Sequence, residues 1–150
     1  MYEDYMLPAF AGMKVDSGDD RVESFPAAGD VAVGVVCGTN ASGLLVAGPG
    51  TKVRGVSLHT ATLPYDRYRY VEGDSVSTMT RGLVWARVTA AGSVTEDGPV
   101  KFAADGTVSD GGANTLNNAV FRSGIVTGPN GQQIARVELH NPFSVPPATP

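Results

Sequence analysis

Residues 120–139 read VFRSGIVTGPNGQQIARVEL, two runs of alternating apolar side chains joined by Gly128-Pro129-Asn130-Gly131. Asn130-Gly131 tolerates positive φ at both central positions of a tight turn, which the right-handed twist of a hairpin demands, so the runs are predicted to pair antiparallel. Beyond the turn, Ala135, Val137 and Leu139 fall on one face and Arg136, Glu138 and His140 on the other, the pattern of a half-buried strand. The same grammar of short β runs punctuated by Gly, Pro, Asp and Asn extends back to about residue 30, without a helical period.

Composition agrees with that reading. A chain of 150 residues suits one domain, and 19 glycines with 10 prolines favour many turns over long helices. The single cysteine, Cys37, follows the apolar run 31–36 and reads as a small buried hydrophobe rather than a reactive thiol. Net charge is −4, and the only lysines are Lys14, Lys52 and Lys101, which argues against a sequence-independent grip on nucleic acid. The first residues, MYEDYMLPAF, are acidic where a signal peptide is basic, and no apolar stretch has the length of a membrane span. Synthesis and assembly in a cytoplasm are expected, with neither nucleic acid nor membrane as a partner.

Three regions are expected. Residues 1–29 lack a period and read as an extended arm; residues 30–140 carry the β domain; residues 141–150, NPFSVPPATP, hold four prolines and cannot form a ladder, so they read as an extended tail. Within the domain, VAVGVV at 31–36 is predicted to be one continuous strand covered on both faces. Further strands are expected at 44–47 and 53–58 around the turn Gly48-Pro49-Gly50, at 75–79, 82–88 and 99–102, weakly around Val108, and in the closing hairpin. A bulge at Gly55 would account for the phase switch between Val53 and Val56. About eight short strands predict an antiparallel β-sandwich or a jelly-roll-like barrel. Residues 59–70 are expected to form a long aromatic connection and residues 110–118 a polar loop with room for one helical turn.

No residue set has the pattern of a catalytic or metal site. His59 and His140 have no second ligand at a metal-binding spacing. No serine lies in a GxSxG elbow, and no glycine pair leads into Gly-Lys-Ser or Gly-Lys-Thr. The oxygen-rich stretch 105–112, DGTVSDGG, lacks the loop pattern and closing Glu of an EF-hand and reads as two turns. The glycine-rich C-terminal signature of trimeric nucleotide hydrolases is missing. No enzyme activity, cofactor or metal is expected.

Interface chemistry is better represented. In YDRYRY at 65–70 an extended chain places Tyr65, Arg67 and Arg69 out of phase with Tyr68 and Tyr70, and Tyr and Arg are the residue types enriched at protein interfaces. In 82–88, Val84, Ala86 and Val88 suit the core, which turns Leu83, Trp85 and Arg87 outward. Trp85 then lies either beneath another element or between subunits. Phe10 and Phe143, in the arm and the tail, are apolar groups that need cover.

Taken in order, GDVAVGVV, KVRGVSLHTA, YVEGDSVSTMTRGLVWARV, GPVKFAADGTVSDGG, FRSGIVTG and IARVELHNPF resemble the small cement, or decoration, proteins of tailed bacteriophage capsids over residues 29–143. The resemblance rests on Gly73-Asp74 entering a strand, the Gly-then-apolar strand 82–88, and the terminal run 134–143. It implies a structural virion protein on the outside of the head that cements neighbouring major capsid protein subunits and stabilises the expanded shell, working as a homodimer or homotrimer at symmetry axes. Another virion β module, such as a head or tail fibre component, and a small ligand- or carbohydrate-binding β-sandwich stay open as alternatives.

Overall fold

The structure is a computed structural model, and it describes residues 11–15, 20–59, 69–128 and 131–142. Twelve strands lie among them: β1 (Arg21–Pro26), β2 (Val31–Ala32), β3 (Val36–Thr39), β4 (Leu45–Ala47), β5 (Lys52–Ser57), β6 (Arg69–Tyr70), β7 (Ser75–Arg87), β8 (Pro99–Phe102), β9 (Val108–Ser109), β10 (Asn114–Phe121), β11 (Val126–Thr127) and β12 (Gln133–His140). There are no helices among the described residues. Four of the strands have only two residues, which is why the count exceeds the expected eight.

β7 organises the sheet. Met79 is opposite Val22 of β1 on one side and Val56 of β5 on the other, while Arg81 is opposite Arg21 of β1 and His140 of β12. β5 and β12 therefore follow one another along the same edge of β7. The order β4-β3-β5-β7 makes one half and β7-β12-β10-β8-β9 the other. Val36, Val53 and Val56 from the first half share a buried cluster with Phe102, Leu116, Phe121, Val137 and Leu139 from the second. The two halves thus face each other as an antiparallel, sandwich-like arrangement that does not close into a barrel.

A second, smaller cluster lies on the other side of the first half, where β2 pairs with β6 as a separate two-stranded sheet. Cys37, Leu45, Val76 and Tyr70 meet there. β3 is consequently buried on both faces, with Val36 in the main cluster and Cys37 in the smaller one.

The strand expected at 31–36 is not continuous. Gly34 takes φ +79°, open to glycine at little cost, and turns the chain between β2 and β3. Buried Ser57 holds that turn: its hydroxyl donates to the Ala32 carbonyl at 2.7 Å and accepts from the Val35 amide at 3.2 Å. The runs 75–79 and 82–88 join into β7, because Arg81 is paired on both sides, with Arg21 and His140, while Thr80 is the extra residue at a register shift against β1. The loop expected at 110–118 is largely β10, in which Leu116, Ala119 and Phe121 are buried. A register shift between Leu116 and Val120, with Asn118 at φ +54°, breaks the alternation and hid the strand. Residues 21–26, read as arm, form β1 against β7.

Other expectations match. β5 carries the bulge near Gly55, since Cys37 and Gly38 are opposite Gly55 and Val53 and skip Arg54. A Cβ on Gly55 would lie 2.0 Å from the Met79 carbonyl oxygen, so only glycine lets β5 approach β7 this closely. In the closing hairpin, the Gly131 N–H donates to the Gly128 carbonyl at 3.0 Å, and Gly131 has φ +74°. Pro129 and Asn130, the latter being one half of the predicted central pair Asn130-Gly131, lie outside the described residues. Beyond the turn, Ala135, Val137 and Leu139 are buried and His140 is exposed.

Candidate interaction surface

The residues singled out from the sequence separate into three environments. Tyr70, on β6, is 1% exposed, and its hydroxyl donates to the Leu58 carbonyl at 2.6 Å. It anchors the β2–β6 sheet over the smaller cluster, and its ring is enclosed by the chain's own side chains. Arg69, the preceding residue, faces the opposite way as strand alternation requires; it is exposed, with Nε 3.9 Å from an Asp30 carboxylate oxygen. Tyr65, Arg67, Tyr68, Phe10 and Phe143 lie outside the described residues.

Trp85 occupies the outward face of the second half. Alternation along β7 buries Val84 and Ala86 and leaves Leu83, Trp85 and Arg87 half-buried, as their sequence predicts. Trp85 is opposite Arg136 of β12, whose guanidinium carbon lies 5.8 Å from the ring centroid. At that distance the cation is drawn to the ring face. The Arg136 Nε is enclosed without a hydrogen-bond partner. On the other side of Trp85 the chain of residues 12–15 adds a short ladder: the Trp85 N–H donates to the Met13 carbonyl at 2.9 Å, and the Val15 N–H to the Leu83 carbonyl at 3.1 Å. A row of Met13, Trp85 and Arg136 thus crosses the face, with Val15, Leu83 and Glu138 beside it. Glu138 also reaches His140 Nε2 at 2.5 Å and Arg122 at 3.8 Å. Exposed ion pairs of this kind contribute little to stability.

A cleft of about 440 Å³ opens at one end of the sandwich, lined by Arg87, Ala91, Asp105, Thr107 and Gln132 among others. Arg87 Nε donates to the Val33 carbonyl at 2.8 Å. With the Gln132 amide oxygen turned toward it, both terminal guanidinium nitrogens find that oxygen at 3.1 and 3.2 Å. Burial lowers the guanidinium pKa from its ordinary value.

The hydroxyls and carboxylates of the oxygen-rich stretch hold turns. Asp105 accepts from the Thr107 hydroxyl at 2.7 Å and amide at 3.1 Å, and these bonds lower its pKa. Asp110 accepts from the Thr95 amide at 3.0 Å and hydroxyl at 2.8 Å. Among the described residues no group of three or more His, Cys, Asp or Glu side chains is placed to hold a metal ion. Cys37 is fully buried, and that burial pushes its thiol up to about 12, so it stays protonated at neutral pH.

Residues 124–127, in the first run of the predicted hairpin, form an exposed blade. Ile125 is 38% and Val126 41% exposed, although β11 pairs with the buried end of β12. The stretch SGIVTG at 123–128 is apolar at its centre and carries no charge.

Comparison with known proteins gives a consistent picture. A family model described as structural cement protein (E217 gp24/Pam3 gp6) matches residues 1–140. A solved structure titled "The capsid of Myoviridae Phage XM1" contains a chain of similar fold, with a TM-score of 0.72 over 91% of this chain and 93% of that one. The two are 16% identical, so the likeness concerns the fold. No curated protein matches.

Proposed function

Because the chain belongs to the structural cement protein family, we propose that it binds the outer surface of a phage head and ties neighbouring major capsid protein subunits together, stabilising the expanded shell. The observation that carries this reading is the match of the family model across nearly the whole chain, residues 1–140. A structural, capsid-associated role follows from the family; the outer surface, the major capsid protein as partner and the clamping action are the proposal.

The work is thermodynamic rather than chemical. A protein that binds the assembled shell and not its dissociated subunits stabilises the shell by mass action, by an amount set by its concentration relative to Kd. Contacts to two subunits at once add to this, since the second forms at high effective concentration. In this reading the 30–140 domain sits on the head as a homodimer or homotrimer. Residues 1–29 and 141–150 reach across subunit boundaries, with β1 as the arm's anchorage on β7.

Purified protein added to undecorated expanded heads tests this. Saturation at a fixed ratio to the capsid subunit, with a rise in the temperature at which heads open, is expected. Absence of binding, or binding without any gain in head stability, would overturn it.

A further inference from the structure

Among the described residues, nothing pairs with the outer edge of the β11 hairpin. The Gly128 N–H donates inward to the Gln132 carbonyl at 2.6 Å, and β11 pairs Val126 with Ile134 and Thr127 with Gln133. In an antiparallel ladder, inward and outward backbone groups alternate. Val126 is therefore in phase with Gly128, and the N–H and C=O groups of Ile125 and Thr127 point away from β12. No described residue bonds to those outward groups. Both aliphatic side chains of the blade are exposed, and residues 123–128 hold neither charge nor proline. Such edges are ordinarily blunted by charged side chains, proline or cover. β1 shows the contrast: its exposed Val22 sits between Arg21 and Glu23, and the strand ends at Pro26.

Resting on the cement reading, we infer that this edge is a strand-addition site that receives an extended segment of the capsid protein. Strand addition takes its affinity from backbone hydrogen bonds and its selectivity from alternate side chains, here the apolar surface of Ile125 and Val126. The size of the edge decides the occupant. A stable pair of proteins uses about 20–30 residues on each side, whereas this edge offers a few, too few to hold a second copy by itself. It suffices as one contact among several on a partner already engaged elsewhere, because linkage supplies the effective concentration. The tail at 141–150 is a poor occupant, since its prolines remove ladder donors.

Thr127→Pro removes one outward donor and leaves the inward ladder intact, since proline is accepted where the N–H faces solvent. Ile125→Lys places a guarding charge on the same edge by different chemistry. Both variants should keep the wild-type circular dichroism and melting temperature and bind undecorated heads about tenfold more weakly, as expected when ladder bonds are lost. Hydrogen exchange gives a direct readout: the amides of Ile125 and Thr127 should exchange freely in the isolated protein and become protected on heads. Wild-type binding with neither weakening in the variants nor protection of these amides would overturn the inference and leave the cement reading standing. A dimer of the free protein abolished by Thr127→Pro would also overturn it, by assigning the edge to a second copy. Failure of the wild-type protein to bind heads would overturn both.

Discussion

β12 and β1 both run antiparallel to β7 and meet across it at Arg81, yet they are held by different forces. In β12, Ala135, Val137 and Leu139 are each 0% exposed and pack into the main core, and Ile134 is buried as well. In β1, no side chain is fully buried; Phe25 is half-buried with the Arg54 guanidinium carbon 5.3 Å from its ring centroid, and Val22 is 39% exposed. β12 is fixed by removing apolar surface from water, worth roughly 25 cal/mol per Å². β1 is fixed mainly by backbone hydrogen bonds, with a net contribution of about 1 kcal/mol each. A strand of the first kind must alternate in sequence, whereas one of the second kind is free to carry almost any residues.

The largest effect should come from β12. Leu139→Ala removes a fully buried side chain that faces Ala119 and Gly82 across the neighbouring strands and packs in the main cluster, and should cost about 2–5 kcal/mol by urea unfolding. No single truncation in β1 should approach it. A loss under about 1 kcal/mol would break the contrast, because it would mean that the core side of β12 collapses around the missing atoms.

The turn that leads into β12 comes next. A Cβ on Gly131 would meet nothing within 4 Å, so steric room is not the obstacle; the φ of +74° is. Gly131→Val should destabilise by about 1–3 kcal/mol, whereas Gly131→Asn, tolerant of the left-handed region, should lose much less. Thermal melting of the two variants checks this. Equal midpoints would show that the turn does not set the register of β12.

What could be read in advance follows the same division. Residues 133–140, 53–58 and 82–88 announce themselves because burial on one face imposes a period of two, and the Gly55 phase switch is visible since only one pattern survives on each side of it. β10 is hidden because the register shift between Leu116 and Val120 breaks the alternation and moves the buried set from Leu116 to Ala119 and Phe121. β1 is hidden because RVESFP has no fully buried side chain, only Phe25 half-buried against the smaller cluster. The turn at Gly34 was missed for another reason: it is held by Ser57, 23 residues away, and no local pattern encodes that hydrogen bond. The candidate interaction surface is legible only in part. Trp85 faces outward as its alternation predicts, whereas Tyr70, similar in composition to its neighbours in YDRYRY, is the ring that closes the smaller core, and the open β11 edge is a property of pairing rather than of residue type.

Tyr70 gives a smaller and more selective test. Tyr70→Phe keeps the ring in the cluster of Leu45, Cys37 and Val76 but leaves the Leu58 carbonyl without the hydroxyl that donates to it. The expected loss is about 1 kcal/mol of folding stability, from one buried hydrogen bond. Affinity for heads should not change once the folded fraction is accounted for. A drop in affinity with unchanged stability would move Tyr70 from the core to the contact surface.

The smallest effect is expected at Val22. Val22 is 39% exposed, so Val22→Ala takes methyl groups from a partly solvated face rather than out of a packed core, and it leaves the backbone pairing to Met79 in place. Valine favours a strand over alanine by a fraction of a kcal/mol, and the sum should stay within about 0.5 kcal/mol. The urea midpoint is the measurement, read beside Leu139→Ala in the same buffer. If Val22→Ala costs 1.5 kcal/mol or more, β1 is supported by side-chain burial after all, through cover that its exposure in the isolated chain does not show. The opposition between a strand held by its side chains and one held by its backbone would then fail at its weaker member.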